Sequence, residues 1–113
     1  MKSSRHYLES VMRYLEPCGP ITARAMFGGF GIYYEGVIFA SIVEDELYFR
    51  VDASNRADYE PYGSRPFVYE GSGKPVTMPY LTLPQEILQD REQLKQWIQK
   101  AYRASLQHKW KKK

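Results

Sequence analysis

Between Ile21 and Asp52 the apolar residues of this chain recur mainly at every second position, in runs separated by only two or three residues. Parallel neighbours need a crossover of about a dozen residues or more, so connections this short admit only antiparallel hairpins. Four strands are expected. The first spans 22–27, and Phe30, Ile32 and Tyr34 alternate along the second. Residues 37–43 form a nearly continuous apolar run that suits a central strand. In the fourth, Leu47, Phe49 and Val51 alternate with Glu46, Tyr48 and Arg50. Gly28 and Gly29 permit a bend or bulge between the first two strands, Gly31 leaves room opposite a bulky neighbour, and Gly36 supplies positive φ in the Glu35-Gly36 turn.

Helical patterns flank this block. Tyr7, Leu8, Val11, Met12 and Leu15 fall at three- and four-residue spacing behind Ser3 and Ser4, which are good N-caps. Pro17, Gly19 and Pro20 end that helix. A short helix is expected over 53–59 with Asp52 or Ser54 as its cap, then a loop marked by Pro61, Gly63 and Pro66. A short strand at 67–69 and a last strand over 76–83 follow, and Pro79 within the latter points to an edge or a bulge. Pro84 opens a helical turn through Leu88. Asp90 with Gln93 resembles a capping box, and Leu94, Trp97, Ile98, Ala101, Tyr102, Ser105 and Leu106 form one stripe of a long helix. Helix, strands, helix is the order of an α+β domain, here a single one over residues 1–113 with 105–113 as a frayed basic tail.

The chain of 113 residues, 43% hydrophobic, is long enough to build its own core. Its single cysteine, Cys18, rules out an internal disulfide. No apolar run approaches the roughly 20 residues of a membrane span, and the N-terminus lacks the pattern of a secretory signal. A soluble cytoplasmic protein with no membrane partner is expected. Of 16 basic residues four are lysines in the last five positions, leaving 12 against 13 acidic residues in the body. The basic balance therefore belongs to a tail.

Two glycine strings suggest phosphate binding and fail. Gly29 and Gly31 begin a dinucleotide fingerprint, but Tyr34 stands at its third glycine and a strand follows instead of a helix N-terminus. Gly71-Ser72-Gly73-Lys74 lacks the upstream glycine of a P-loop, since position 68 is Val, and has Pro75 after the lysine. His6 and His108 lie near opposite ends, Cys18 lies in a helix-ending loop, and no His/Cys cluster has metal-ligand spacing. No catalytic set, cofactor or metal is expected. Two surfaces remain. Tyr33, Tyr48 and Tyr69 with Arg50 are candidates for a strand face opposite the core, to stack bases or be covered by helices or a second subunit. Arg103, Lys109, Trp110 and Lys111 are candidates for contacts from the tail, against the alternative of a solvated helix end.

The string RAMFGGFGIYYEGVIFASIVEDELYFRVD, residues 24–52, and PYLTLPQEILQDREQLKQWIQKAYRAS, residues 79–105, resemble the N-terminal domain of the TfoX/Sxy family. The resemblance implies a curved antiparallel sheet of about five to six strands with flanking helices. It also implies a part in bacterial competence regulation, since better-known members act with the cyclic-AMP receptor protein at competence promoters. Those regulators carry a second, C-terminal domain, so a stand-alone module is expected here. The expected function is a non-enzymatic regulatory module with a protein partner, either transcription machinery or a second copy. Direct nucleic-acid binding is the alternative, and a small enzyme with a pocket lined by Cys18, Tyr and Arg side chains is a third reading.

Overall fold

A computed structural model describes residues 4–26, 28–70 and 73–111, with the side chains of 108–111 excepted. Helix α1 (Arg5–Leu15) leads through a 3-10 turn (Glu16–Cys18) to four strands, β1 (Ile21–Met26), β2 (Gly29–Tyr34), β3 (Val37–Val43) and β4 (Glu46–Arg50). A 3-10 helix (Arg56–Tyr62) precedes β5 (Pro66–Tyr69) and β6 (Val76–Thr82), and α2 (Gln85–Leu88) and α3 (Arg91–Lys111) close the chain. The six strands form one sheet in the order β1-β2-β3-β4-β6-β5 with every pairing antiparallel. This is the α+β arrangement expected from the element order.

The tight hairpins are built from left-handed backbone. Glu35 (φ 50°) and Gly36 (φ 81°) turn β2 into β3, while Glu44 (φ 53°) and Asp45 (φ 57°) turn β3 into β4 with no glycine. Asp45 also ties this turn to α1, because the Ser4 amide donates to its Oδ1 at 2.8 Å. Ser4 in turn caps the helix, its Oγ accepting from the Tyr7 amide at 3.0 Å. Replacing Ser4 with Ala is expected to cost about 1 kcal/mol in a urea unfolding series, the usual worth of an N-cap.

Alternation along the paired strands sends one set of side chains to each face. Phe30, Ile32, Ala40, Ile42, Leu47, Phe49 and Leu81 share the core face with the buried stripe of α1 (Leu8, Val11, Leu15) and that of α3 (Leu94, Trp97, Ile98, Ala101). The register of β2 with β3 shifts so that Ile32 faces Ala40 and Tyr33 faces Ile38, leaving Phe39 as an extra residue. That bulge explains why the consecutive residues Phe39 and Ala40 are both fully buried. Both long helices therefore lie on one side of the sheet.

Three local expectations are corrected, and of the two alternatives for Pro79 the irregularity holds. The first strand lies one residue earlier, at Ile21–Met26. The helix expected over 53–59 is a 3-10 helix three residues later, because Asp52 and Asn55 hold the preceding segment in a turn. Asp52 Oδ1 accepts from the Ser54 amide at 2.8 Å, and Asn55, not Asp52 or Ser54, occupies the cap position. Pro61 lies inside that helix, not in the following loop. Pro79 is on no edge, since β6 sits between β4 and β5; it falls where the β5 pairing jumps from Thr77 to Leu81. The missing amide of proline is needed least at such an irregularity.

Tyr59 is 2% exposed, packs on Trp97 at 4.6 Å between ring centroids, and has no partner for its hydroxyl among the described residues. Burial, with the Asp58 charge adding, pushes its phenol far above the ordinary value. Unfolded tyrosine ionises near pH 10, so the folded chain holds this proton more tightly and stability falls as pH rises above about 10. Tyr59→Phe is expected to flatten that alkaline decline and to be neutral or stabilising at pH 7, as read from urea midpoints across pH 7–11.

Candidate functional site: the open sheet face

The sheet face turned away from the helices carries a continuous row across five strands. Arg24 faces Gly31, Gly31 faces Ser41, Ser41 faces Tyr48 and Tyr48 faces Thr82. Beside it Tyr33 faces Ile38, and Arg50 faces Tyr80. Gly31 is essential to this packing. A Cβ there would lie 2.7 Å from Met26 Sδ, 3.0 Å from Ile38 Cδ1 and 3.3 Å from Tyr33 Cε1, so these three side chains close over the bare backbone. The room expected opposite Gly31 is thus filled by neighbours on its own sheet.

Aromatic rings and guanidinium groups alternate over this floor. Arg24 Cζ stands 5.8 Å from the Tyr33 ring centroid and Arg50 Cζ stands 5.7 Å from that of Tyr80, both within cation–π range. Tyr48 packs against Phe67 of β5 at 5.4 Å between centroids. The Tyr33 hydroxyl donates to Met26 Sδ at 4.0 Å. Burial raises the Tyr80 phenol, opposed by the Arg50 charge and by hydrogen bonds with Arg50 and Ser41. Burial also raises Tyr48, with Glu46 adding and Arg65 opposing. Both phenols therefore stay protonated in neutral solution, and both are buried, so they form the floor of this face.

Of the residues singled out in the sequence, the structure brings Tyr33, Tyr48 and Arg50 together here. Tyr69 sits on the edge strand β5 opposite Val76 and is 43% exposed. Arg103 lies on α3, on the other side of the sheet, in a shallow depression with Lys95, Gln96, Gln99 and Lys100. No single surface joins it to the tyrosines. The helix backbone continues through 105–111, but the side chains of His108, Lys109, Trp110 and Lys111, with Lys112 and Lys113, lie outside the described residues, as does the Gly71-Ser72 turn. Met26, Phe67 and Tyr80 complete the face and were not singled out. The first was visible as an alternation partner of Arg24, whereas Tyr80 needed the β4–β6 register and Phe67 needed the place of β5 beside β6.

Cys18 Sγ contacts the Tyr14 carbonyl at 3.7 Å, and burial raises its thiol despite the nearby charges of Lys95 and Arg91. No group of three or more His, Cys, Asp or Glu among the described residues is placed to hold a metal ion. No helix among them is long and apolar enough to cross a membrane.

An open-faced antiparallel sheet, helices on one side and an aromatic, arginine-bearing surface on the other, defines the class of domain. The family model of the TfoX N-terminal domain matches residues 13–105, and the chain belongs to that family. A comparison with curated proteins gives no match.

Proposed function

We propose that this domain is a non-enzymatic protein-interaction module that acts in transcriptional regulation of the kind associated with bacterial competence. Family membership supports the competence setting. The observation that carries the interaction reading is the sheet face opposite both helices, where exposed Arg24 and half-buried Tyr33 and Arg50 lie over a floor of buried Tyr48 and Tyr80. Aromatic residues and arginine are the side chains that dominate binding energy at protein interfaces. The partner would be a component of the transcription machinery in the bacterial cytoplasm. The test is a competence-gene reporter in cells carrying the parent chain or a Tyr33→Ala, Arg50→Ala variant with the same far-ultraviolet circular dichroism. The reading expects the variant to lose activation; unchanged activation overturns it.

A second reading rests on the same rings. Base stacking on aromatic strand residues, with guanidinium groups nearby, is how open sheets hold single-stranded nucleic acid. Binding to single-stranded DNA that weakens steeply with salt, and is lost in the same variant, would favour it over a protein partner.

A further inference from the structure

β1 is one end of the sheet, and only β2 pairs with it. The Glu35 amide donates to the Pro20 carbonyl at 3.2 Å, one step before the Ile21–Tyr34 pair. Antiparallel ladders alternate bonded and non-bonded pairs, which sets the phase along the strand. Thr22, Arg24 and Met26 exchange bonds with β2, while the N–H and C=O groups of Ile21, Ala23 and Ala25 point to the free edge. Among the described residues no strand pairs with that side.

The two edges are unlike. β5 has four residues, begins with Pro66 and is broken by a register shift, all features that blunt an edge. β1 has six residues in unbroken register, no proline and one charge, Arg24. Beyond buried Ile21 its helix-side residues are small: Ala23 is half-buried beside Ile32 and Ala25 is exposed beside Phe30. Two arginines flank it, Arg24 on the open face and Arg5 on the helix side, whose Cζ stands 5.8 Å from the Phe30 ring centroid. Among the described residues neither has a carboxylate within ion-pair distance.

We propose that the free edge of β1 takes up an extended acidic segment of a partner protein as a seventh strand. Its backbone pairs with Ile21, Ala23 and Ala25. Small apolar side chains cover Ala23 and Ala25 on the helix side, and the alternate positions set carboxylates beside Arg24 on the open face, with the Arg5 charge adding to the attraction of the edge for an acidic segment. Charge decides against a second copy of this chain. Self-pairing about Ala23 sets the two Arg24 side chains as diagonal neighbours on one sheet face, like charges with no acid between them. This edge adjoins the open sheet face through Arg24, and Ala23→Pro tests the edge apart from that face, because its outward amide is no part of it.

The experiment titrates the chain with a short peptide alternating Glu and Val, and with its Lys-Val counterpart, at low salt. Amide hydrogen exchange is read by NMR. The acidic peptide is expected to protect the Ile21, Ala23 and Ala25 amides, and the basic one is not. Ala23→Pro removes an outward amide that the native ladder does not use and is expected to abolish binding. Arg24→Glu, a surface change that leaves the fold intact, is expected to weaken the acidic peptide by roughly threefold or more. Tyr33→Ala with Arg50→Ala is expected to leave this binding in place. Protection elsewhere, equal binding of both peptides, or binding that survives both edge variants overturns the proposal. So does a dimer of the chain alone that Ala23→Pro dissolves.

Discussion

Truncating Phe49 to alanine is expected to lower the unfolding free energy by about 3–5 kcal/mol, read from urea or thermal unfolding. A domain of this size has about 5–15 kcal/mol in all, so much of the folded population at 37 °C is at stake. Phe49 is fully buried in β4, faces Ala40 on one side and Leu81 on the other, and meets Phe39 edge-to-face at 5.3 Å. It joins the meander to the later β6 strand beneath α3. Ala40 is too small to fill the space left behind, and Phe39 is fixed by its bulge. Phe49→Leu retains most of the apolar volume and is expected to cost less than half as much. Equal losses for Leu and Ala would mean that the edge-to-face pair, and not the cavity, sets the effect.

Asn55→Ala is expected to cost about 2 kcal/mol by the same measurement and to broaden NMR signals at the end of β4. Asn55 is 1% exposed and carries both halves of a bridge. Its Oδ1 accepts from the Asp52 amide at 2.8 Å, and its Nδ2 donates to the Arg50 carbonyl at 3.1 Å. Alanine leaves a donor and an acceptor without partners where β4 ends. Asn55→Asp separates the two halves, because it keeps the acceptor and loses the donor. Arg50 is the residue whose backbone this bridge holds, so the substitution is also expected to loosen the cation–π contact with Tyr80 on the open face.

The meander was legible because its evidence is local. Period-two alternation and two-residue turns set β1 to β4 before any long-range contact is considered, and the capping residues Ser4 and Asp90 are read from neighbours three positions away. Asn55 was not legible, because its worth depends on where β4 stops. The Phe39 bulge was hidden for a related reason: in a run as apolar as 37–43, an extra residue leaves no break in the pattern. Alternation alone places Tyr33, Tyr48 and Arg50 on faces of their own strands. That they share one face follows only from register, and that both helices avoid it follows only from packing. Arg103 shows the converse. Its charge groups it with the basic tail, and the fold sets the sheet between it and the tyrosines.

The central claim is that the open face meets a protein. A photoreactive phenylalanine derivative in place of Tyr33 tests it most directly, with the same group in place of Gln96 on the outer side of α3 as the control. Cross-linking in bacterial cells is followed by nuclease or protease digestion of the adduct. The account predicts an adduct from position 33 that nuclease leaves and protease removes, that Arg50→Ala suppresses, and that position 96 does not form. An adduct from position 96 alone, or one from position 33 that nuclease destroys, would contradict it.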